Sequence, residues 1–128
     1  MIIHFIEEMK KLIVTFLLFS ITFLVSGQKP KNGTYTYQIA FAEWDGKSLG
    51  ATCSVIIKGD SVKVIHNGTK SLTGNNGDII DQGILLKHKL TGKWIIAHDR
   101  KDVDAIEVGG CSDGPSVIDI KRRRFWTC

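Results

Sequence analysis

Proline and cysteine are scarce in this chain, long apolar runs are missing, and the familiar catalytic motifs are absent. Two prolines beside 13 glycines exclude a collagen-like chain, and 43% hydrophobic against 23% charged residues exclude charge-driven disorder. No segment repeats at a solenoid period. No Walker loop, HExxH, CxxC or G-x-S-x-G occurs, so no sequence signature of nucleotide, zinc, dithiol or serine chemistry is present. At 128 residues and 14.2 kDa the chain offers one domain at most.

The N-terminal part is an address. Met9-Lys10-Lys11 precedes Leu12 to Val25, an apolar stretch broken only by Thr15, Ser20 and Thr22, and Val25-Ser26-Gly27 supplies small residues for cleavage. This order of charge, apolar run and small residues is that of a secretory signal. The run of 14 positions is shorter than the about 20 residues of a spanning helix. Glu7 and Glu8 place negative charge where a signal carries positive charge, which makes Met9 the expected start. Residues 1–27 are therefore expected to be a signal-peptide helix. Residues 28–128 are expected to be one secreted or periplasmic domain with no membrane span, beginning at Gln28.

Residues 28–128 carry 15 Lys and Arg against 11 Asp and Glu, a net +4. Lys121, Arg122, Arg123 and Arg124 alone supply four positive charges, so the basic character is local. Export argues against nucleic acid as a partner. A small anionic ligand or a protein partner is the expectation.

Alternation at period 2 runs through this part. Tyr35, Tyr37, Ile39 and Phe41 share one face of a strand over 34–44; Ala51, Cys53, Val55 and Ile57 share one over 51–58; Val62, Val64 and His66 share one over 61–66. Gly59-Asp60 is a hairpin turn. Strands are expected over 79–88, with Gly83 a bulge or bend, and over 93–98 after a two-residue Thr91-Gly92 turn. The segment 99–114 is irregular, with a short strand or helical turn near 103–108. The last strand is expected over 116–127, with Ile118, Ile120, Arg122, Arg124 and Trp126 on one side. The fold class is all-β: a meander of six to eight short strands forming a small antiparallel barrel or sandwich. The barrel is preferred because closure removes sheet edges.

Few groups have the spacing that chemistry needs. Three cysteines allow one bridge. Cys111–Cys128 is favoured, because it pins a chain end and closes an 18-residue loop worth roughly 3 kcal/mol, with Cys53–Cys128 as the alternative. The remaining cysteine is expected to be a buried small hydrophobe, and a Cys/His hydrolase is the least favoured function. His66, His88 and His98 lie at strand ends. With the expected turn, His88 and His98 stand about 10 Å apart, too far to share one ion. Asp99, Asp102, Asp104 and Glu107 miss the EF-hand spacing. No catalytic residue, metal or cofactor is assigned.

Two features at opposite ends of residues 28–128 resemble the calycins, the lipocalin-like and avidin-like barrels. Their first strand carries Gly-x-Trp and their last an arginine packed across that aromatic. Here Gly33-Thr34-Tyr35 has Tyr in place of Trp, and Arg122 or Arg124 would lie over Tyr35. The exported segment, with its paired lysines and Gly27-Gln28 junction, resembles those of small exported proteins of Bacteroidetes.

The resulting expectation is a non-enzymatic binding module that uses a basic-aromatic last strand, with Arg122, Arg124, Trp126 and Tyr35 as its ligand-binding residues. The alternative is an envelope interaction protein, such as an inhibitor or immunity-type partner of a secreted enzyme.

Overall fold

The computed structural model describes residues 29–128. The expected signal segment, its cleavage point and the start at Met9 lie outside the described residues. Seven strands form a closed barrel in which each is hydrogen-bonded to its sequence neighbours: β1 (Gly33–Phe41), β2 (Thr52–Lys58), β3 (Ser61–His66), β4 (Ile79–Lys87), β5 (Trp94–Ala97), β6 (Val117–Asp119) and β7 (Arg124–Thr127). Six neighbouring pairs are antiparallel. An odd number of strands in a meander leaves the first and last pointing the same way. The closing pair β1–β7 is accordingly parallel, with Ile39 opposite Phe125. The barrel is thus the architecture, and a sandwich is not.

The alternating patterns read from the sequence account for the interior. Tyr37 and Ile39 of β1, Ala51, Cys53, Val55 and Ile57 in and before β2, and Val62 and Val64 of β3 are buried in one core with Leu85, Ile96, Ile118 and Phe125. Gly83 is not the bulge. The register shifts opposite Val64 and Ile65 instead, where Asp81 and Ile79 pair. A Cβ on Gly83 would stand 2.3 Å from the Ala97 carbonyl oxygen, so glycine here permits a close backbone approach.

Two expected strands are revised. The stretch 116–127 is a hairpin, β6 and β7, with residues 120–123 as its turn. Asp119 Oδ1 accepts the Arg122 N–H at 3.0 Å and Arg123 takes a left-handed φ of 53°, so the chain reverses inside the basic run. The reversal resets the alternation. Ile118 and Phe125 pair across the hairpin and both point inward, whereas a continuous strand would place them on opposite sides. The β4–β5 turn is also longer than two residues. Lys87 pairs with Trp94, and His88 N–H bonds to the Lys93 carbonyl at 2.8 Å. His88 Nδ1 lies 2.8 Å from the Thr91 hydroxyl and the Gly92 N–H bonds the His88 carbonyl, which holds a four-residue turn.

The irregular segment between β5 and β6 is a cover. Asp99 accepts the Lys101 N–H while Asp102 accepts the Asp99 N–H, reciprocal caps on a 3₁₀ helix over Arg100–Asp104. Val108 then packs on the outside of the barrel with Ile95, Ala97, Val117 and Trp126, a second small apolar cluster. The Cys111–Cys128 disulfide ties this cover to the end of β7. Its chain-entropy contribution is on the order of 3 kcal/mol. Among the described residues, no helix is long and apolar enough to cross a membrane.

Candidate functional site

Strand direction sorts the connections between two ends of the barrel. The β2–β3, β4–β5 and β6–β7 turns lie at one end with the start of β1; the other three connections leave from the opposite end. The three turns and their flanks (58–61, 87–93 and 119–124) hold eight cationic and two acidic residues, a net +6. The other three connections (42–51, 67–78 and 98–116) hold four cationic and eight acidic residues, a net −4. Eight of the 15 Lys and Arg of residues 28–128 are therefore gathered at one end of the barrel and not only on one strand.

The β6–β7 turn is the centre of that end. Lys121, Arg122 and Arg123 are exposed. Among the described residues, the side chains of Lys121 and Arg122 make no ion pair. It is Arg123, not Arg122 or Arg124, that stands over the aromatic of the first strand, its guanidinium carbon 5.8 Å from the Tyr35 ring centroid. The left-handed turn aims it there. Tyr35 donates to the Lys31 carbonyl and lies edge-on to Tyr37, with ring centroids 6.4 Å apart. Burial pushes the Tyr37 hydroxyl above its usual 10.0. Arg123 pulls against that shift, and Tyr35, Asp119 and Cys53 add to it. The Arg123 charge thus reaches into the foot of the barrel as well as into solvent.

Arg124 begins β7, half-buried, in register with Gln38 on one side and Asp119 on the other. Trp126 shares its outer face but serves packing. A Cβ on Gly46 would stand 2.3 Å from its ring, and Gly109 lies against its Cβ. Gly46 has φ 82°, so the β1–β2 connection both turns and closes over the indole there. The structure therefore brings Tyr35 together with Arg123, holds Arg122 on the same turn, and leaves Trp126 under a different connection.

The other candidate groups are occupied locally. Cys53 faces His66 across the β2–β3 pair, the one arrangement that resembles a thiol with a base. His66 Nδ1 accepts the Gly68 N–H at 2.9 Å and Nε2 donates to the Leu72 carbonyl at 3.1 Å, so neither nitrogen is left for the thiol. Burial pushes the Cys53 thiol up to about 12, opposite to what a nucleophile needs. His88 Nε2 donates to the Ala105 carbonyl at 2.6 Å. His98 pairs with Asp81 at 2.6 Å. Among the described residues, one group has metal-ligand spacing: Glu43, Cys111 and Cys128. Both sulfurs are spent in the disulfide and lie 3.5 Å and 2.9 Å from Glu43 Oε2 as contacts without a proton.

Sequence reasoning missed Arg123 and the lysines of the other two turns. The signal for the lysines was present, since Lys58, Lys87, Lys89 and Lys93 all flank expected turns. Reading them together requires the strand order.

No protein-family model, curated protein or solved structure matches the chain. The closed barrel agrees with a small barrel fold; no family or relative supports the calycin or Bacteroidetes resemblance, and the arginine over Tyr35 is Arg123, not the expected Arg122 or Arg124. Lipocalin-type barrels have eight strands and this one has seven.

Proposed function

We propose that residues 28–128 form an exported, non-enzymatic binding module for an anionic ligand, engaged by the basic end of the barrel. Arg122 and Arg124 carry the contact, Arg123 contributes from its seat on Tyr35, and Lys121 supplies further charge. Trp126 packs the outer face and is not given a role in the ligand contact. The single observation that carries this reading is the β6–β7 turn: consecutive exposed cations on a short hairpin, two of them without an acidic partner among the described residues. Hairpin placement matters because a short turn between paired strands loses little freedom when a ligand binds. Guanidinium groups also give bidentate donors to carboxylate or phosphate. Export is part of the proposal, and the disulfide agrees with an oxidising compartment.

Retention on phosphocellulose under a salt gradient tests it. The purified protein is expected to bind at low salt, and Arg122→Ala/Arg124→Ala is expected to elute at clearly lower salt, with at least a fivefold weaker association. Equal retention of the double variant would remove the basic turn from the function.

A further inference from the structure

The basic end carries a second, different feature. The two most exposed large apolar side chains of the described residues are Leu90, 82% exposed at the β4–β5 turn, and Ile106, 97% exposed. Both line one depression with His88, Lys89, Val103, Asp104 and Ala105, where Lys89 Nζ pairs with Asp104 at 3.2 Å. Two contacts draw them together. Lys89 N–H donates to the Val103 carbonyl at 3.0 Å, and His88 holds the Ala105 carbonyl. This buried histidine, 1% exposed, therefore presents an aliphatic pair to solvent at no gain for the core. Turns at the same end stand two strand spacings apart, about 10 Å. The β4–β5 turn that carries Leu90 is thus set beside the Lys121–Arg123 turn, with Lys93 just before the intervening β5.

We infer that this end docks on an anionic lipid bilayer, with Leu90 and Ile106 entering the headgroup layer and the three turns' cations facing lipid phosphates. The inference rests on the anion-binding reading above and specifies its partner. Charge complementarity decides the occupant. Residues 103–106 return to the basic end and bring Asp104 with them, paired with Lys89 at 3.2 Å, so the division is a net +5 against −3. A surface so divided is oriented by a plane of negative charge, and a small soluble anion makes no use of two protruding aliphatic side chains. Aliphatic tips within a basic rim are what an interfacial protein presents to headgroups.

Flotation with vesicles tests it. The purified protein is mixed with phosphatidylcholine vesicles or with vesicles containing 30 mol% phosphatidylglycerol, at low and high salt. The expected result is co-flotation with the anionic vesicles alone, weakened by salt. Leu90→Ser/Ile106→Ser is expected to lower the partition coefficient about tenfold or more. Leu90→Trp is expected to retain it, and Arg122→Ala to lower it about fivefold. Lys47→Ala, at the other end, is expected to leave it unchanged. All these side chains are exposed, and phosphocellulose retention of the Leu90/Ile106, Leu90 and Lys47 variants reports an intact basic turn. Retention on phosphocellulose without flotation, or flotation unaffected by the Leu90/Ile106 change, would overturn the bilayer inference and leave the anion-binding reading standing. Failure on both supports would overturn both.

Discussion

Cys53 shows how one residue's surroundings decide its chemistry. It sits wholly buried between β1 and β3, with Tyr37 on one side and His66 on the other. Burial moves its ionisation from 9.0 to about 12. Below pH 9 the thiol is protonated in the folded and unfolded chain alike and its contribution to stability is constant. Between pH 9 and about 12 only the unfolded chain ionises, so stability falls as pH rises, by up to about 1.4 kcal/mol per pH unit. Denaturant melts at pH 8 and pH 10 on wild type and Cys53→Ala check this. Wild type is expected to lose about 1 kcal/mol more than the variant across that interval, whatever fixed offset the cavity introduces. Equal losses would mean that the thiol is more accessible than its burial implies. The burial of Cys53 was legible in the sequence from its apolar strand face. The commitment of both His66 nitrogens to Gly68 and Leu72 was not, because it depends on how the Gly-rich connection after β3 folds back.

At the scale of the element, the β6–β7 hairpin is the most instructive segment. Alternation predicts one strand through 116–127 because nothing in Lys121-Arg122-Arg123 is a usual turn residue. Asp119 is the signal that was available, a short acid able to accept a backbone N–H two or three residues on. Arg123 in the left-handed region, at φ 53°, bears a cost of roughly 1–2 kcal/mol that glycine would avoid. Against that stands the contact with Tyr35, worth roughly 0.5–1 kcal/mol, and the extra freedom glycine brings to the unfolded chain. Arg123→Gly is therefore expected to leave the denaturation midpoint nearly unchanged, within about 1 kcal/mol, while reducing retention on phosphocellulose. A large loss of stability would make Arg123 a structural plug for the barrel foot; unchanged retention would remove it from the binding face. The disulfide, by contrast, was legible. Cys111 in a glycine-rich turn and Cys128 at the chain end pair as expected, and their bond secures the cover over Ile95, Val117 and Trp126.

For the whole molecule, strand count determines the closure. Seven strands in a meander must close in parallel, and the short β1–β7 register from Gln38 to Phe41 does this. The alternation patterns gave the inward faces of β1, β2 and β3 correctly, since each strand's period is local. They could not give the closure, the longer β4–β5 turn, or the gathering of charge at one end. Those follow from strand order and from side-chain bonds, such as that of His88 to Thr91, that join residues according to the fold. The separation of charge between the two ends is the most informative result of this kind. Only after the connections are sorted by end do Lys58, Lys93 and the β6–β7 turn come together at one end of the barrel.

A binding face at the basic end of the barrel is open to direct test. The most direct measurement is a titration of the ¹⁵N-labelled protein with tripolyphosphate at low ionic strength, followed amide by amide. Saturable shifts are expected, confined to the β6–β7 turn and the neighbouring β4–β5 and β2–β3 turns, with the β1–β2 and β3–β4 connections silent. Shifts centred on those silent connections, or none up to millimolar tripolyphosphate, would contradict it.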